Sequence, residues 1–240
     1  MNEHESLLPP FVPTRRSVKV LGVLFMVSAG ISWLAVGYDV AEIRLDIAAA
    51  RGATHPSMRL AHDATGSAVW AAQLAILAIT ATAFLTWLHR VRVNVRALGA
   101  RRLAYRREWT FMGFLVPVLN LFRPYQVVKE IWQASDPSTG DPMAWKVVAA
   151  PSRIAIWWGL FVAYFLLEGL AVTMIQTSVS PPVIRLGHAA GVIADLCAAL
   201  AASVAYFVVV RITEAQEAKR RAFGRGQASD LPFDPRDAVV

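Results

Sequence analysis

This sequence is poor in the residues that build disulfides and metal sites. Its single cysteine, Cys197, lies inside an apolar run, which excludes an intrachain disulfide framework and a cysteine-based zinc site. The five histidines are scattered, with no HExxH spacing and no carboxylate at ligand distance along a helix. We therefore expect no bound metal and no cofactor.

Signatures of catalysis are also missing from the sequence. It contains no GxSxG, no P-loop, no GxGxxG and no paired Cys and His. We therefore expect that the protein is not an enzyme. An enzyme that acts on lipid is kept as a third hypothesis, below a binding protein and a transporter.

Charged residues are scarce and apolar residues are abundant. Charged residues make up 17% of the 240 residues, whereas an ordinary soluble domain has about 25%. Hydrophobic residues reach 56%, and the mean hydropathy is +0.45. Four apolar runs approach the roughly 20 residues that a helix needs to cross a bilayer. They cover residues 18–38, 65–88, 154–175 and 189–212. The sequence predicts an all-α, polytopic membrane protein with four transmembrane helices.

The uneven distribution of basic residues predicts the orientation of these spans. Three basic residues lie in the amino-terminal region up to Lys19, eleven between residues 89 and 153, and six from Arg211 onward. Lys and Arg near membrane ends are retained in the cytoplasm. With four spans, these regions share one side, so we expect a bacterial inner-membrane protein with both termini cytoplasmic. The first span is too long for a signal-peptide core and is expected to stay uncleaved.

A fifth apolar stretch, from Trp109 to Phe122, is expected not to cross. Its 14 residues would reach only about 21 Å as a helix, short of the roughly 30 Å core. Pro117 removes a backbone donor, and Asn120 would be costly against lipid. A crossing here would also place the basic regions on opposite sides. A re-entrant segment on the cytoplasmic side and a flat interfacial helix both remain open.

The remaining segments are assigned from their composition. Residues 1–17 form a short cytoplasmic tail. Residues 125–135 have the periodicity of a short amphipathic helix for the membrane surface. Gly99 is expected to end the helix that continues from the second span, and residues 213–240 are expected to be a disordered cytoplasmic tail.

Basic residues after the second span indicate a lipid partner. Seven arginines lie between residues 90 and 107, and each can contribute about 1 kcal/mol to binding anionic headgroups near the surface. Nucleic acid is not expected, because the same charges are already required for topology. A homo-oligomer or a membrane protein partner stays open, since four spans enclose little interior space.

The blocks "FLTWLHRVRVNVRALG" and "EWTFMGFLVPVLNLFRPYQVVKEIWQASDP" together resemble a bacterial membrane family, domain of unknown function 4328, which is common in actinobacteria. The positions that carry the resemblance are Trp87, Arg90, Asn94, Gly99, Trp109, Pro117, Asn120, Pro124, Glu130 and Trp132. The resemblance implies that the region around residues 109–122 is the family's signature. It implies no activity.

A first candidate site lies on the cytoplasmic side. Its members are Arg90, Asn94, Asn120, Arg123 and Glu130. Arg90 and Asn94 are four residues apart on one helix face, so they are placed to hold unpaired carbonyls of the 109–122 segment. Either the cluster is purely structural, or it forms a site for a lipid, a nucleotide or a phosphate.

A second candidate site lies within the membrane. Glu168 and Asp195 are both expected about 9 to 10 Å below the outer surface, and Gln73 and Tyr164 fall at a similar depth. An ionisable group in a span is by default a functional-site hypothesis. Either the two acids serve proton or cation movement, or they hydrogen-bond to Tyr164 and Gln73 and fasten helices.

These observations leave two leading functions. The first is a non-enzymatic scaffold or sensor whose basic cytoplasmic face engages anionic lipid or a partner protein. The alternative is a small transporter or ion-conducting subunit that uses Glu168 and Asp195.

Overall fold

The structure, a computed structural model, describes residues 9–53, 56–105, 112–113, 117–139 and 142–229. Every regular element in these ranges is helical. The four long helices are α1 (Arg15–Ala50), α2 (Pro56–Ala97), α5 (Ser152–Thr177) and α6 (Pro181–Ser229). Between α2 and α5 lie the short helix α3 (Pro117–Asn120), the helix α4 (Arg123–Ala134) and a 3-10 turn (Ala144–Val147).

All four long helices are long and apolar enough to cross a membrane, so the predicted fold class is confirmed. Large apolar side chains on their middle portions are exposed, among them Met26, Leu34, Leu166 and Leu200. Such a surface suits a hydrocarbon surrounding better than water. With 36 residues, α1 is about 54 Å long and therefore extends beyond a core of about 30 Å.

The order of packing places α6 at the centre of the bundle. It contacts α5 and α1 extensively, and α1 in turn packs on α2, whereas α2 and α5 scarcely touch. Gly187 lets α6 approach α5, because a Cβ there would lie 2.8 Å from Ile175. Gly191 lies against Asp39 of α1. The GxxxG spacing of these glycines therefore serves two different neighbours of α6.

One end of the bundle gathers most of the basic segments. The Arg15 guanidinium lies 2.6 Å from the Glu217 carboxylate, which joins the start of α1 to the second half of α6. The Asn94 amide near the end of α2 donates to Gln216 at 3.2 Å. Helix α4 and the start of α5 pack at the same end. We call this the basic end, and the other the opposite end.

The fully buried core lies at the basic end. Its members with at most 2% exposure include Trp87, Leu88, Val91, Val127, Val128, Ile131, Ile154, Val208 and Ile212. Three of them, Val127, Val128 and Ile131, form the apolar face of α4. The predicted amphipathic helix is therefore present, and its apolar face packs against the bundle.

Helix α2 ends at Ala97 in a Schellman motif. Gly99 has a φ of +82°, a left-handed conformation that glycine adopts without a Cβ penalty. The Ala100 N–H donates to the Val95 carbonyl, and the Gly99 N–H donates to the Arg96 carbonyl. The prediction that Gly99 stops this helix is confirmed.

Two segments are more helical than their composition indicated. Residues 39–50, expected to begin a loop, continue α1, and residues 213–229, expected to be disordered, continue α6. Residues 39–50 contain four alanines, and residues 213–229 contain alanine, glutamate, lysine and arginine, all of which favour helix. In the α6 extension, Gln216 and Lys219 are also buried, so tertiary contacts stabilise it. Residues 230–240 lie outside the described ranges.

Part of the predicted re-entrant segment is described. Gly113 packs against Arg123, since a Cβ on the glycine would lie 3.2 Å from the arginine Cβ. Trp158 Nε1 of α5 donates to the Leu121 carbonyl at 2.8 Å. Both flanks of residues 114–116 therefore lie at the basic end, which agrees with the absence of a fifth span. The prediction of a re-entrant segment concerns residues 109–111 and 114–116 as well, and these lie outside the described ranges.

Candidate functional site

A cavity of about 380 Å³ lies inside the bundle where α2 and α5 fail to close against each other. Helices α1, α2, α5 and α6 all contribute to its wall. Most of the wall is apolar, with aromatic rings from α2 and α5 and alanines from α6, including Phe84, Trp157, Phe161, Ala201 and Ala205. Its few polar side chains are Ser28, Ser32, Gln73, Thr80, Asn120 and Tyr164.

The polar residues predicted within the membrane come together beside this cavity. Gln73 Nε2 of α2 donates to Asp195 Oδ1 of α6 at 2.6 Å. Asp195 is only 3% exposed. The bond joins α2 to α6 far from their other hydrogen bonds, which lie at the basic end, and it satisfies one oxygen of a buried carboxylate.

A second acid near Asp195 was missed from the sequence. Asp39 of α1 lies 2.8 Å from His188 Nδ1 of α6, and both side chains are mostly buried. Asp39 occupies the space left by the missing side chain of Gly191. The signal available in the sequence was the histidine beside the first glycine of the GxxxG pair, but nothing in the sequence pointed to its partner 149 residues away.

Glu168 and Tyr164 complete this polar cluster. The charges of Glu168 and Asp39 both act on Asp195, and Tyr164 feels the charges of Glu168 and Asp195. The three acids therefore lie on three different helices, α1, α5 and α6, in the half of the bundle away from the basic end.

At the basic end, the central contact is a buried ion pair between α2 and α4. Arg92 lies 3.3 Å from the Glu130 carboxylate, and their side chains are 2% and 4% exposed. Arg92 also donates to the Tyr105 carbonyl, and Glu130 accepts from the Ala104 N–H. Burial raises the pKa of Glu130, and the Arg92 charge opposes this rise. The pair fixes α4 and residues 104–105 to α2.

Asn94 hydrogen-bonds to two other segments of the chain, at Val12 and at Gln216. Its amide accepts from the Val12 N–H and donates to the Val12 carbonyl, both at 2.8 Å, and it also donates to Gln216. Asn94 is fully buried. It therefore ties the segment before α1 to α2 and α6, and its described contacts do not include the 109–122 segment.

The other members of the predicted cytoplasmic cluster are dispersed. Arg90 is exposed and donates to Ser17 at 3.1 Å, while Arg123 donates to Gln126 and lies 5.0 Å from the ring centre of Tyr105. Asn120 faces the cavity. The described contacts of Arg90 and Asn94 are thus with Ser17, Val12 and Gln216, and their predicted action on the 109–122 segment stays a prediction, because part of that segment lies outside the described ranges. Arg92, two residues after Arg90 on α2, is the arginine that contacts Glu130.

The α6 extension supplies two polar residues that the sequence analysis missed. Gln216 Nε2 donates to the Val91 carbonyl at 2.9 Å and to Ser135 Oγ at 3.1 Å. Lys219 Nζ donates to the Ala134 carbonyl at 3.2 Å and to Thr139 Oγ1 at 2.8 Å. The spacing of Gln216 and Lys219 is i, i+3, which places them on one helix face. That spacing was the available signal.

A family model supplies the relationship of this chain to other proteins. The family described as Domain of unknown function (DUF4328) matches residues 50–214. The chain belongs to this family. The resemblance drawn from the sequence is thereby confirmed. No curated protein and no solved structure matches the chain.

Some of the contacts of this DUF4328 protein lie inside the matched residues 50–214, and others involve residues outside them. The Arg92–Glu130 and Gln73–Asp195 contacts lie wholly within residues 50–214. Asp39, Val12 and Gln216 lie outside them. The family region therefore contains the cavity's α2, α5 and α6 walls, whereas α1 and the α6 extension close the bundle from outside that region.

The acids and histidines of this DUF4328 protein do not converge as metal ligands in the part of the chain that is described. No group of three or more His, Cys, Asp or Glu residues is placed there to hold a metal ion. The chemistry that these residues offer is hydrogen bonding, ion pairing and proton exchange.

Proposed function

We propose that this protein is a non-enzymatic membrane scaffold or sensor whose basic end lies in the cytoplasm and engages anionic lipid headgroups or a partner protein. The observation that carries the proposal is the set of exposed basic side chains around a rigid core at that end. They include Arg90, Arg96, Arg101, Arg102, Arg153, Arg211, Arg220 and Arg221.

Burial selects which arginines are available for this role. Arg92 is 2% exposed and is already paired with Glu130, so it is excluded from headgroup binding. Arg90 and Arg96 lie on the same helix and are exposed. Each exposed arginine near an anionic surface contributes about 1 kcal/mol, so several together produce a strong preference for anionic lipid without any single specific contact.

The test compares charge removal at the two ends of the bundle. The full chain is reconstituted in phosphatidylcholine vesicles, and electron paramagnetic resonance measures its preference for spin-labelled phosphatidylglycerol over spin-labelled phosphatidylcholine. Arg90→Gln with Arg96→Gln should lower this preference by up to about fivefold per arginine. The matched control is Arg44→Gln with Arg51→Gln, which removes the same charge from exposed positions on α1 and the turn after it.

The outcome of that comparison decides the headgroup proposal. An equal loss in the two double variants would show that position is irrelevant and would contradict a basic end that engages lipid. A preference that stays unchanged when Arg90 and Arg96 are replaced would contradict it as well.

A second candidate function is supported by the buried polar cluster. Asp195 lies deep in the bundle, is bonded to Gln73 and feels the charge of Glu168, an arrangement that suits proton or cation movement. The apolar wall of the adjoining cavity favours the scaffold, because an ion moving along it would be left without polar partners.

Flux separates these two candidates. In proteoliposomes, Glu168→Gln with Asp195→Asn should abolish proton or cation flux if the protein is a transporter, and it should leave lipid preference intact if the protein is a scaffold. Flux that is the same with and without the two substitutions would remove the transporter hypothesis.

A further inference from the structure

We propose that the cavity between α2 and α5 holds one hydrocarbon chain of a membrane lipid. The cavity volume of about 380 Å³ falls within the roughly 300–1,000 Å³ of ordinary small-molecule sites. It also exceeds by more than a factor of two the ~150 Å³ apolar cavity known to take up benzene. A chain that fills this space restores dispersion contacts that an empty wall would lose.

The length of the cavity matches one lipid chain. Along α2, its wall runs from Gln73 to Leu85, a rise of about 18 Å. One leaflet supplies half of the roughly 30 Å hydrocarbon core, so a single extended acyl chain covers about 15 Å. The cavity can therefore take most of one chain in an orientation parallel to the spans.

The wall chemistry selects hydrocarbon over water or ions. The middle of the wall is built from side chains such as Ile76, Leu77, Phe84, Trp157 and Phe161. Water and ions would lose hydrogen bonds in such surroundings, whereas a methylene chain loses nothing. This occupant goes beyond the proposed function, because it depends on chain packing and not on the charge of a headgroup.

The position of the cavity gives lipid direct access and excludes a larger occupant. Its opening lies between two spans that scarcely touch, α2 and α5, so the surrounding bilayer reaches it sideways. A helix from a second copy of this protein is about 10 Å in diameter. Over the same 18 Å, such a helix would need several times the volume that the cavity provides.

Asn120 indicates which end of the cavity lies next to the lipid headgroup. Its side-chain oxygen is buried and has no hydrogen-bond partner among the described residues, and it lies at the basic end beside Trp157 and Trp158. An amide offers both an acceptor and donors. It therefore suits the glycerol hydroxyl or ester groups where a lipid chain meets its headgroup.

The test uses two exposed alanines of α2 that differ in one respect. Ala81 lines the cavity and Ala75 does not, and both are exposed, so a larger side chain at either position disturbs no buried packing. The full chain is reconstituted with phosphatidylcholine or phosphatidylglycerol of identical chains, extracted in mild detergent, and analysed by native mass spectrometry. We expect the unmodified protein and Ala75→Phe to retain one lipid, and Ala81→Phe to lose it.

The comparison of phosphatidylcholine with phosphatidylglycerol separates the chain-binding cavity from the proposal that the basic end engages anionic headgroups. Retention of both lipids, with loss only in Ala81→Phe, supports the chain site even if the arginine variants leave lipid preference unchanged. Retention of phosphatidylglycerol alone, unaffected by Ala81→Phe and lost with Arg90→Gln and Arg96→Gln, would overturn the chain site and leave the headgroup proposal standing. An unmodified protein that retains no lipid would overturn the chain site outright.

A second measurement uses the unmodified protein, so that a folding defect in a variant cannot decide the outcome. A phospholipid with a photoreactive diazirine at the end of its chain is incorporated into the vesicles. Labelling should reach Ala198 and Ala201, which line the cavity on the side toward Gln73, where the end of the lipid chain lies. Ala201 is only 4% exposed. Labels confined to outward-facing residues such as Leu200 would contradict the proposal.

Discussion

The basic end of this DUF4328 protein and the half of the bundle away from it bury polar groups in opposite ways. At the basic end, Arg92 meets Glu130, and Asn94 bonds to both backbone groups of Val12. In the other half, Asp195 shares its surroundings with the charges of Glu168 and Asp39. At the basic end a pair of opposite charges fastens two helices, whereas in the other half the Asp195 carboxylate is held by the neutral amide of Gln73.

The same difference extends to packing. At the basic end, α4 fills the space beside α2, and the core residues there are essentially inaccessible. Farther along the bundle no described element plays the part of α4, and the cavity lies between α2 and α5. The basic end is thus closely packed, and the middle of the bundle is open between α2 and α5.

The largest expected effect tests the buried ion pair. Arg92→Met should destabilise the protein by about 3–5 kcal/mol, because it leaves the Glu130 carboxylate buried and unpaired. Adding Glu130→Leu should recover most of the loss. Unfolding in detergent, followed by tryptophan fluorescence, measures both. The control Arg96→Met, at an exposed position on the same helix, should stay within about 0.5 kcal/mol of the unmodified protein.

The pH dependence of Arg92→Met sharpens this test. Burial raises the pKa of Glu130, and loss of the Arg92 charge removes the largest opposing influence. Above the raised pKa the carboxylate is ionised and the penalty is complete. Below it the group is neutral, so the difference in stability from the unmodified protein should shrink as pH falls. A pH-independent difference would mean that Glu130 does not ionise in this site.

An intermediate effect compares two asparagines. Asn94→Leu should cost about 1–3 kcal/mol, because the backbone groups of Val12 and the Gln216 amide lose their buried partner. Asn120→Leu should be nearly neutral, since its oxygen has no described partner to lose. Besides unfolding, limited proteolysis before α1 should accelerate only in Asn94→Leu. Equal losses in the two variants would erase the contrast between the two regions.

The last comparison concerns two glycines away from the basic end, and its control at Gly169 has the smallest expected effect. Gly191→Ala should cost about 1–3 kcal/mol, because the new methyl group collides with the Asp39 carboxylate. Gly169→Ala in α5, where no atom lies within 4 Å, should instead stabilise the helix by roughly 0.5–1 kcal/mol. In an Asp39→Ala background the cost at Gly191 should vanish. A cost that persists there would point to another neighbour of Gly191.

Much of the architecture could be predicted from the sequence, because hydrophobicity and charge are local properties. Four runs long enough to span and a Gly99 helix stop are both visible along the chain. The helical ends were harder to predict. Residues 39–50 and 213–229 are polar enough to resemble loops, and contacts such as Gln216 with Val91 supply the stabilisation that composition does not reveal.

The sequence alone determined that this protein has four helices long and apolar enough to cross a membrane, since transfer of side chains into hydrocarbon depends on each residue and not on its neighbours. Only the tertiary structure decided which polar residues meet. Arg90 and Arg92 differ by two positions, which turns them to nearly opposite faces of α2, and the docking of α4 made Arg92 the buried partner of Glu130. Asp39 and His188 met for the same reason: packing of α1 on α6 joins residues that the sequence separates.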